Sequence, residues 1–129
     1  MFYRSGRVFK LWDYSVSHKQ MLLRSPRTPD IKTNIDVVFW GVEFIEIATV
    51  LAGIEITAGT ADHAVLAARL HDSIGTCDVY RIVSVGKRYL AVAQGFQVLE
   101  NVLDIFESTL VNFSADRPIE EYGVVLAHS

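Results

Sequence analysis

The amino-acid sequence predicts an α+β fold: a predominantly antiparallel β-sheet with one or two helices packed on it. Three observations carry that expectation. Short runs rich in Val, Ile, Phe, Trp and Tyr, bounded by Gly, Pro, Ser and Asn, succeed one another over residues 7–57. Residues 62–73 then switch to apolar spacing of helical period. Two further strand-like runs flank a glycine turn within residues 79–95. Strand runs with one or two helices laid on a face form a common layered solution.

RVFKLWDY, residues 7–14, is the first expected strand, with Gly6 marking a turn before it. Alternation puts Val8, Lys10, Trp12 and Tyr14 on one face and Phe9 and Leu11 on the other. Residues 15–19 turn the chain, and residues 20–25 return it as a second strand. The stretch PRTPDIKTN, residues 26–34, is a loop, because two prolines remove backbone donors and fix φ. IDVVFW (35–40), VEFIEI (42–47) and TVLAGIEIT (49–57) continue as strands, with Gly41 permitting a bulge or bend.

DHAVLAARLHDS, residues 62–73, is the expected helix. Ala64, Val65 and Ala68, joined by Leu66 and Leu70, form its stripe, Thr60 or Asp62 can cap its start, and Gly75 suits its C-terminal end. VYRIVSV (79–85) and YLAVAQG (89–95) flank Gly86-Lys87-Arg88 as a hairpin. Over residues 98–113, Leu99, Val102, Leu103, Phe106, Leu110 and Phe113 follow helical spacing, with Glu100, Asn101, Asp104, Glu107 and Asn112 opposite. A second helix is expected there, although Phe96-Gln97-Val98 and Leu103-Asp104-Ile105 alternate like strands. Pro118 stops what precedes it, and residues 122–127 read as a last edge strand.

The whole chain, residues 1–129, is expected to form one domain. Half its residues are hydrophobic and 21% are charged, a composition far from that of a disordered chain. A mean hydropathy of +0.26 points to a well-filled core, an apolar surface patch, or both. The greasiest run, IATVLAGI at residues 47–54, is much shorter than the roughly 20 residues of a spanning helix, so no membrane span is expected. The N-terminus has no apolar run of the kind a signal peptide needs. Cys77 is the single cysteine, so it has no internal disulfide partner, and a reducing, cytoplasmic setting is expected.

Charge is unevenly distributed. Residues 1–33 hold seven cations against two carboxylates, a net of +5. The remainder holds five against thirteen, a net of −8, which leaves −3 overall. Such segregation suggests a partner surface or self-association.

Catalytic signatures are weak. The sequence contains no phosphate-binding glycine loop and no G-x-S-x-G elbow. Ser17-His18 with Asp13 or Asp30 supplies the residue types of a triad without its motif. His63 and His71 would stand about 12 Å apart along a helix, too far to share an ion, so no metal and no cofactor are expected. Glu46 and Glu55 sit among β-branched apolar neighbours, where burial would raise a carboxyl pKa. With His63 and His71 they are the catalytic candidates. Arg4, Arg7, Lys10 and Arg24 interleave with aromatic side chains such as Trp12, and these five are the binding candidates. A pI near 5.7 argues against nucleic acid as the partner.

The combined expectation is a small non-enzymatic interaction protein, self-associating as a homodimer or holding another protein partner. The rival is a small enzyme or ligand-binding domain with a pocket lined by Glu and His.

Overall fold

The computed structural model describes residues 1–70, 75–111 and 123–129. The described residues form nine strands: β1 (Tyr3–Ser15), β2 (Gln20–Ser25), β3 (Asn34–Trp40), β4 (Phe44–Glu46), β5 (Val50–Ala58), β6 (Asp78–Ser84), β7 (Lys87–Ala93), β8 (Gly95–Asn101) and β9 (Val124–His128). One helix, α1 (His63–Leu70), follows a 3-10 turn at Thr60–Asp62. All strand pairs are antiparallel. The sheet-dominated α+β architecture is therefore the one the sequence predicts.

The sheet closes on itself. β3 pairs with β8, ending at Trp40↔Gly95, and β4 pairs with β7, starting at Phe44↔Val92. The two ladders are one. Gln94 N–H donates to Trp40 O at 2.9 Å, and Glu43 N–H donates to Val92 O at 2.8 Å, across the junction. β3 and β4 are thus two halves of one bent strand, and β7 and β8 are two halves of another. The register slips by one residue at Gly41, whose φ of +61° suits a β-bulge. With β1–β2, β2–β3, β5–β6, β6–β7 and β1–β5 also paired, the ring is complete. β9 adds to the outer side of β8 beyond this ring.

Alternation along the strands fills the barrel with side chains. Phe9, Met21, Leu23, Val37, Phe39, Ile56, Tyr80, Ile82, Phe96 and Val98 all belong to this interior. The rings of Phe39, Tyr80 and Phe96 pack with centroids 5.2–5.8 Å apart. Outside the barrel, α1 lays Leu66 on Cys77, Val79 and Val92. A third cluster, Leu22, Val38, Leu99 and Leu110 with Trp12 and Trp40 against it, covers the outer face of β2, β3 and β8.

Local readings mostly hold. The chain turns between β1 and β2, and it runs as a loop after Ser25. The expected helix at 62–73 is shorter at its described end, with residues 71–73 outside the described residues. The hairpin between β6 and β7 turns one residue earlier than expected. Ser84 pairs with Lys87, so Val85 and Gly86 are the turn, both at positive φ.

The helix expected over 98–113 is not formed over the described part, residues 98–111. Residues up to Asn101 complete β8, and the next regular element is a single 3-10 turn at Thr109–Val111. Residues 112, 113 and 118 lie outside the described residues. The misleading signal has a physical origin. Val98 points into the barrel and Leu99 into the outer cluster, so β8 is apolar on both faces. Val102, Ile105 and Phe106 then continue the apolar spacing, although they are exposed loop residues.

Candidate functional site

β1 is longer than its partner β2. Their pairing ends at Lys10↔Arg24, because Ser25 is followed by Pro26, which lacks a backbone donor. Tyr3, Arg4, Ser5, Val8 and Phe9 therefore pair only with β5, and Gly6 and Arg7 bulge out of that ladder between Ser5 and Val8. Strand alternation fixes which backbone groups are left over. Leu11 N–H bonds Thr49 O on the β5 side, so Lys10 and Val8 direct their N–H and C=O to the opposite side. No strand lies beside Val8 there.

The loop after β2 stands off this edge and leaves an open groove of about 530 Å³. Gly6, Arg7, Val8, Lys10, Ser25, Pro26, Thr28 and Ile31 line it. Val8 is 46% exposed and Ile31 41%, so the floor is apolar and reachable. Gly6 adds room, since nothing lies within 4 Å of where a Cβ would stand.

Arg7 ties the loop to β1. Its Nε donates to Ser25 Oγ at 3.0 Å, and its Nη2 donates to Ser25 O at 3.1 Å and Thr33 O at 2.6 Å. These acceptors are neutral, so the charge of Arg7 is not balanced by a carboxylate, and Nη1 keeps its N–H groups unengaged among the described residues. Lys10 on the floor and Arg27 and Lys32 on the loop also lie beyond 4.0 Å of any described carboxylate, whereas Arg4, Lys19, Arg24, Arg81 and Arg88 each have one. The loop carries one acid, Asp30. The groove lining is apolar at Val8, Pro26 and Ile31 and cationic at Arg7 and Lys10.

The other binding candidates lie elsewhere. Arg4 projects from β1 and pairs with Glu55 at 3.0 Å on the barrel exterior. Arg24 is buried and bound to Asp36, and its Cζ lies 5.3 Å from the centroid of the Trp12 ring. The Arg24 guanidinium is thus engaged by Asp36 and lies against the Trp12 ring.

The catalytic candidates are dispersed. Glu46 is exposed at the end of β4, and Glu55 is held by Arg4. His63, at the start of α1, lines a smaller cavity with Asp78 and Tyr80. His71 lies outside the described residues. His18 Nδ1 sits 2.9 Å from Ser17 Oγ in an exposed turn, while Asp13 Oδ2 accepts from Ser108 and its Oδ1 from Tyr14 N–H. Among the described residues, no group of three His, Cys, Asp or Glu side chains could hold a metal ion. None of the described helices is long and apolar enough to cross a membrane.

The cationic N-terminal segment led sequence reasoning to Arg7 and Lys10, which line the groove, but not to Val8, Pro26 and Ile31, whose place there depends on where the β1–β2 ladder stops. Pro26 was the available signal, since it forbids one more rung. No family model, curated protein or solved structure matches the chain.

Proposed function

We propose that this protein is a non-enzymatic interaction module whose β1 groove takes an acidic, extended segment of a partner protein. The observation that carries this reading is the unpaired edge at Val8, set in an apolar trough lined by the cations Arg7 and Lys10. An added strand would satisfy the Val8 backbone groups, and alternate side chains would fill the trough beside Val8 and Ile31. Carboxylates on the opposite alternation would meet the cations and speed encounter. The lone, buried Cys77 fits a reducing, cytoplasmic setting.

Fluorescence anisotropy with a labelled peptide of alternating glutamate and valine tests this. Binding that weakens with salt and is lost in the Arg7→Met, Lys10→Met double variant is expected. Equal binding of the lysine–valine counterpart would overturn the reading. Tighter binding of a single-stranded oligonucleotide would assign the groove to nucleic acid instead.

A homodimer is a second reading, favoured by β9. Its outer edge has no strand partner among the described residues, and Val124 is 63% exposed beside Leu126 at 44%. Exposed apolar edges are commonly covered by pairing with another copy. Light scattering across a dilution series decides it, with twice the chain mass expected and a monomer mass counting against it.

A further inference from the structure

The turn after β8 presents two adjacent apolar side chains to solvent on a tied backbone. Glu107 N–H donates to Asp104 O at 2.9 Å and closes the turn. Asp104 Oδ1 accepts from Phe106 N–H at 3.1 Å, and Glu107 Oε1 accepts from Asp104 N–H at 2.9 Å. The barrel holds the turn at both ends. Asn34 Nδ2 donates to Leu103 O at 2.8 Å before it, and the buried Arg24 donates to Glu107 O at 2.7 Å at its close. On this backbone Ile105 is 61% exposed and Phe106 94%. Aromatic side chains contribute the most apolar area to interfaces, so an open phenyl ring on an ordered turn is suited to anchor one.

The turn is the chemical counterpart of the β1 groove. Its apolar pair stands between two exposed carboxylates, Asp104 and Glu107, and neither has an ion-pair partner among the described residues. The groove sets Val8 and Ile31 beside Arg7 and Lys10, which likewise have none. Each surface thus lacks the charge that the other carries. No residue of the turn lines the groove of its own chain. The two surfaces are nevertheless neighbours. Lys10 stands directly across from Arg24 in the β1–β2 register, and Arg24 holds Glu107 O. Residues directly opposite in a ladder share a face, so turn and groove flank Arg24 on the same side of the barrel.

We infer that a second copy of this chain caps the groove, the Asp104–Glu107 turn of each copy entering the groove of the other across a two-fold axis. Complementary patches lying side by side on one face suit that symmetry, because one rotation makes both contacts at once. Ile105 and Phe106 pack on Val8 and Ile31, and Asp104 and Glu107 meet Arg7 and Lys10. The turn enters by its side chains and adds no strand, so an extended acidic segment that pairs with Val8 displaces it. The inference rests on the groove being a binding site and makes the dimer its closed form.

Light scattering of the full chain across a dilution series, with and without the glutamate–valine peptide, tests this. The parent is expected at twice the chain mass, dissociating with dilution and with salt. Phe106→Ser alters an exposed side chain, so it should keep the melting temperature and weaken the dimer about thirtyfold, the effect of losing one aromatic anchor. The Arg7→Met, Lys10→Met double variant should weaken it from the other side of the contact. Saturating peptide should return the parent to the mass of one chain, and the Phe106→Ser monomer should bind the peptide more tightly than the parent does. A parent that is monomeric yet binds the peptide would overturn the inference and leave the groove reading standing. A Phe106→Ser monomer that fails to bind the peptide would overturn both. A dimer that survives Phe106→Ser but is broken by Leu126→Lys would place the interface on β9 instead, and a dimer that persists with peptide bound would show that the groove is not capped.

Discussion

The guanidinium of Arg24 grips the carboxylate of Asp36 through two parallel bonds, Nε to Oδ1 at 2.7 Å and Nη2 to Oδ2 at 3.0 Å. Both side chains are shut away from water on the outer face of β2 and β3. The pair also anchors the segment after β8. Arg24 Nη1 donates to Glu107 O at 2.7 Å and its Nη2 to Thr109 Oγ1 at 3.2 Å. Asn101 Nδ2 donates to Asp36 Oδ2 at 2.8 Å, and Thr109 Oγ1 donates to the same oxygen. Four of the five guanidinium N–H groups and both carboxylate oxygens are engaged, as a buried charge requires.

Asp36→Ala is expected to destabilise the protein by about 3–5 kcal/mol, because it strands a buried guanidinium. Urea denaturation measures this. The Arg24→Met, Asp36→Leu double variant is expected to be closer to the parent, since it removes both charges. A cost below about 1 kcal/mol for Asp36→Ala would show that the pair is not buried as described.

Val85 is expected to be a stabilising site when replaced. It is 78% exposed and held at φ +48°, a region disfavoured for β-branched residues. Val85 and Gly86 form the two-residue hairpin turn, where Asn-Gly is the preferred pair. Val85→Asn should raise stability by about 1 kcal/mol, seen as a higher melting temperature. A lower melting temperature would contradict the turn geometry.

Cys77 is expected to react slowly with iodoacetamide at neutral pH. Burial pushes its thiol pKa up, and the Glu43 and Asp78 carboxylates push it further. Its Sγ–H donates to Gly41 O at 3.6 Å. The thiolate is thus suppressed, and alkylation should rise only above the pH where an ordinary thiol ionises. The linkage has the corresponding sign: the folded form favours the protonated thiol, so its contribution is full below the ordinary thiol pKa and lost as pH rises past it. Alkylation at neutral pH as fast as that of an exposed thiol would contradict this. Cys77→Ser is expected to keep the fold at a cost within about 2 kcal/mol.

Strand identity was largely legible in the sequence because β-branched and aromatic runs ended at Pro, Gly and Ser. β8 was not. Helical spacing through Leu99, Val102, Phe106 and Leu110 masked a strand buried on both faces that runs into an apolar loop, with Phe106 left 94% exposed. Barrel closure was equally hidden. It depends on β3 bending at Gly41 into β4 and on β7 continuing through Gln94 into β8, relations between strands distant in sequence. At the groove, Arg7 and Lys10 showed through charge alone, but the same criterion also selected Arg24. Charge along a chain does not distinguish a cation facing solvent from one held against Asp36. Only the pairing Arg24↔Asp36 separates the two.

Amide hydrogen exchange at Val8, with and without the glutamate–valine peptide, tests strand addition most directly. The Val8 N–H faces the groove with no ladder partner, so it should exchange quickly in the unbound protein and slow by at least an order of magnitude on binding. Amides of Phe9 and Leu11, already committed to β5, should change little. Peptide binding that leaves Val8 exchange unchanged, or protects residues of β9 instead, would contradict the β1 groove as the interaction site.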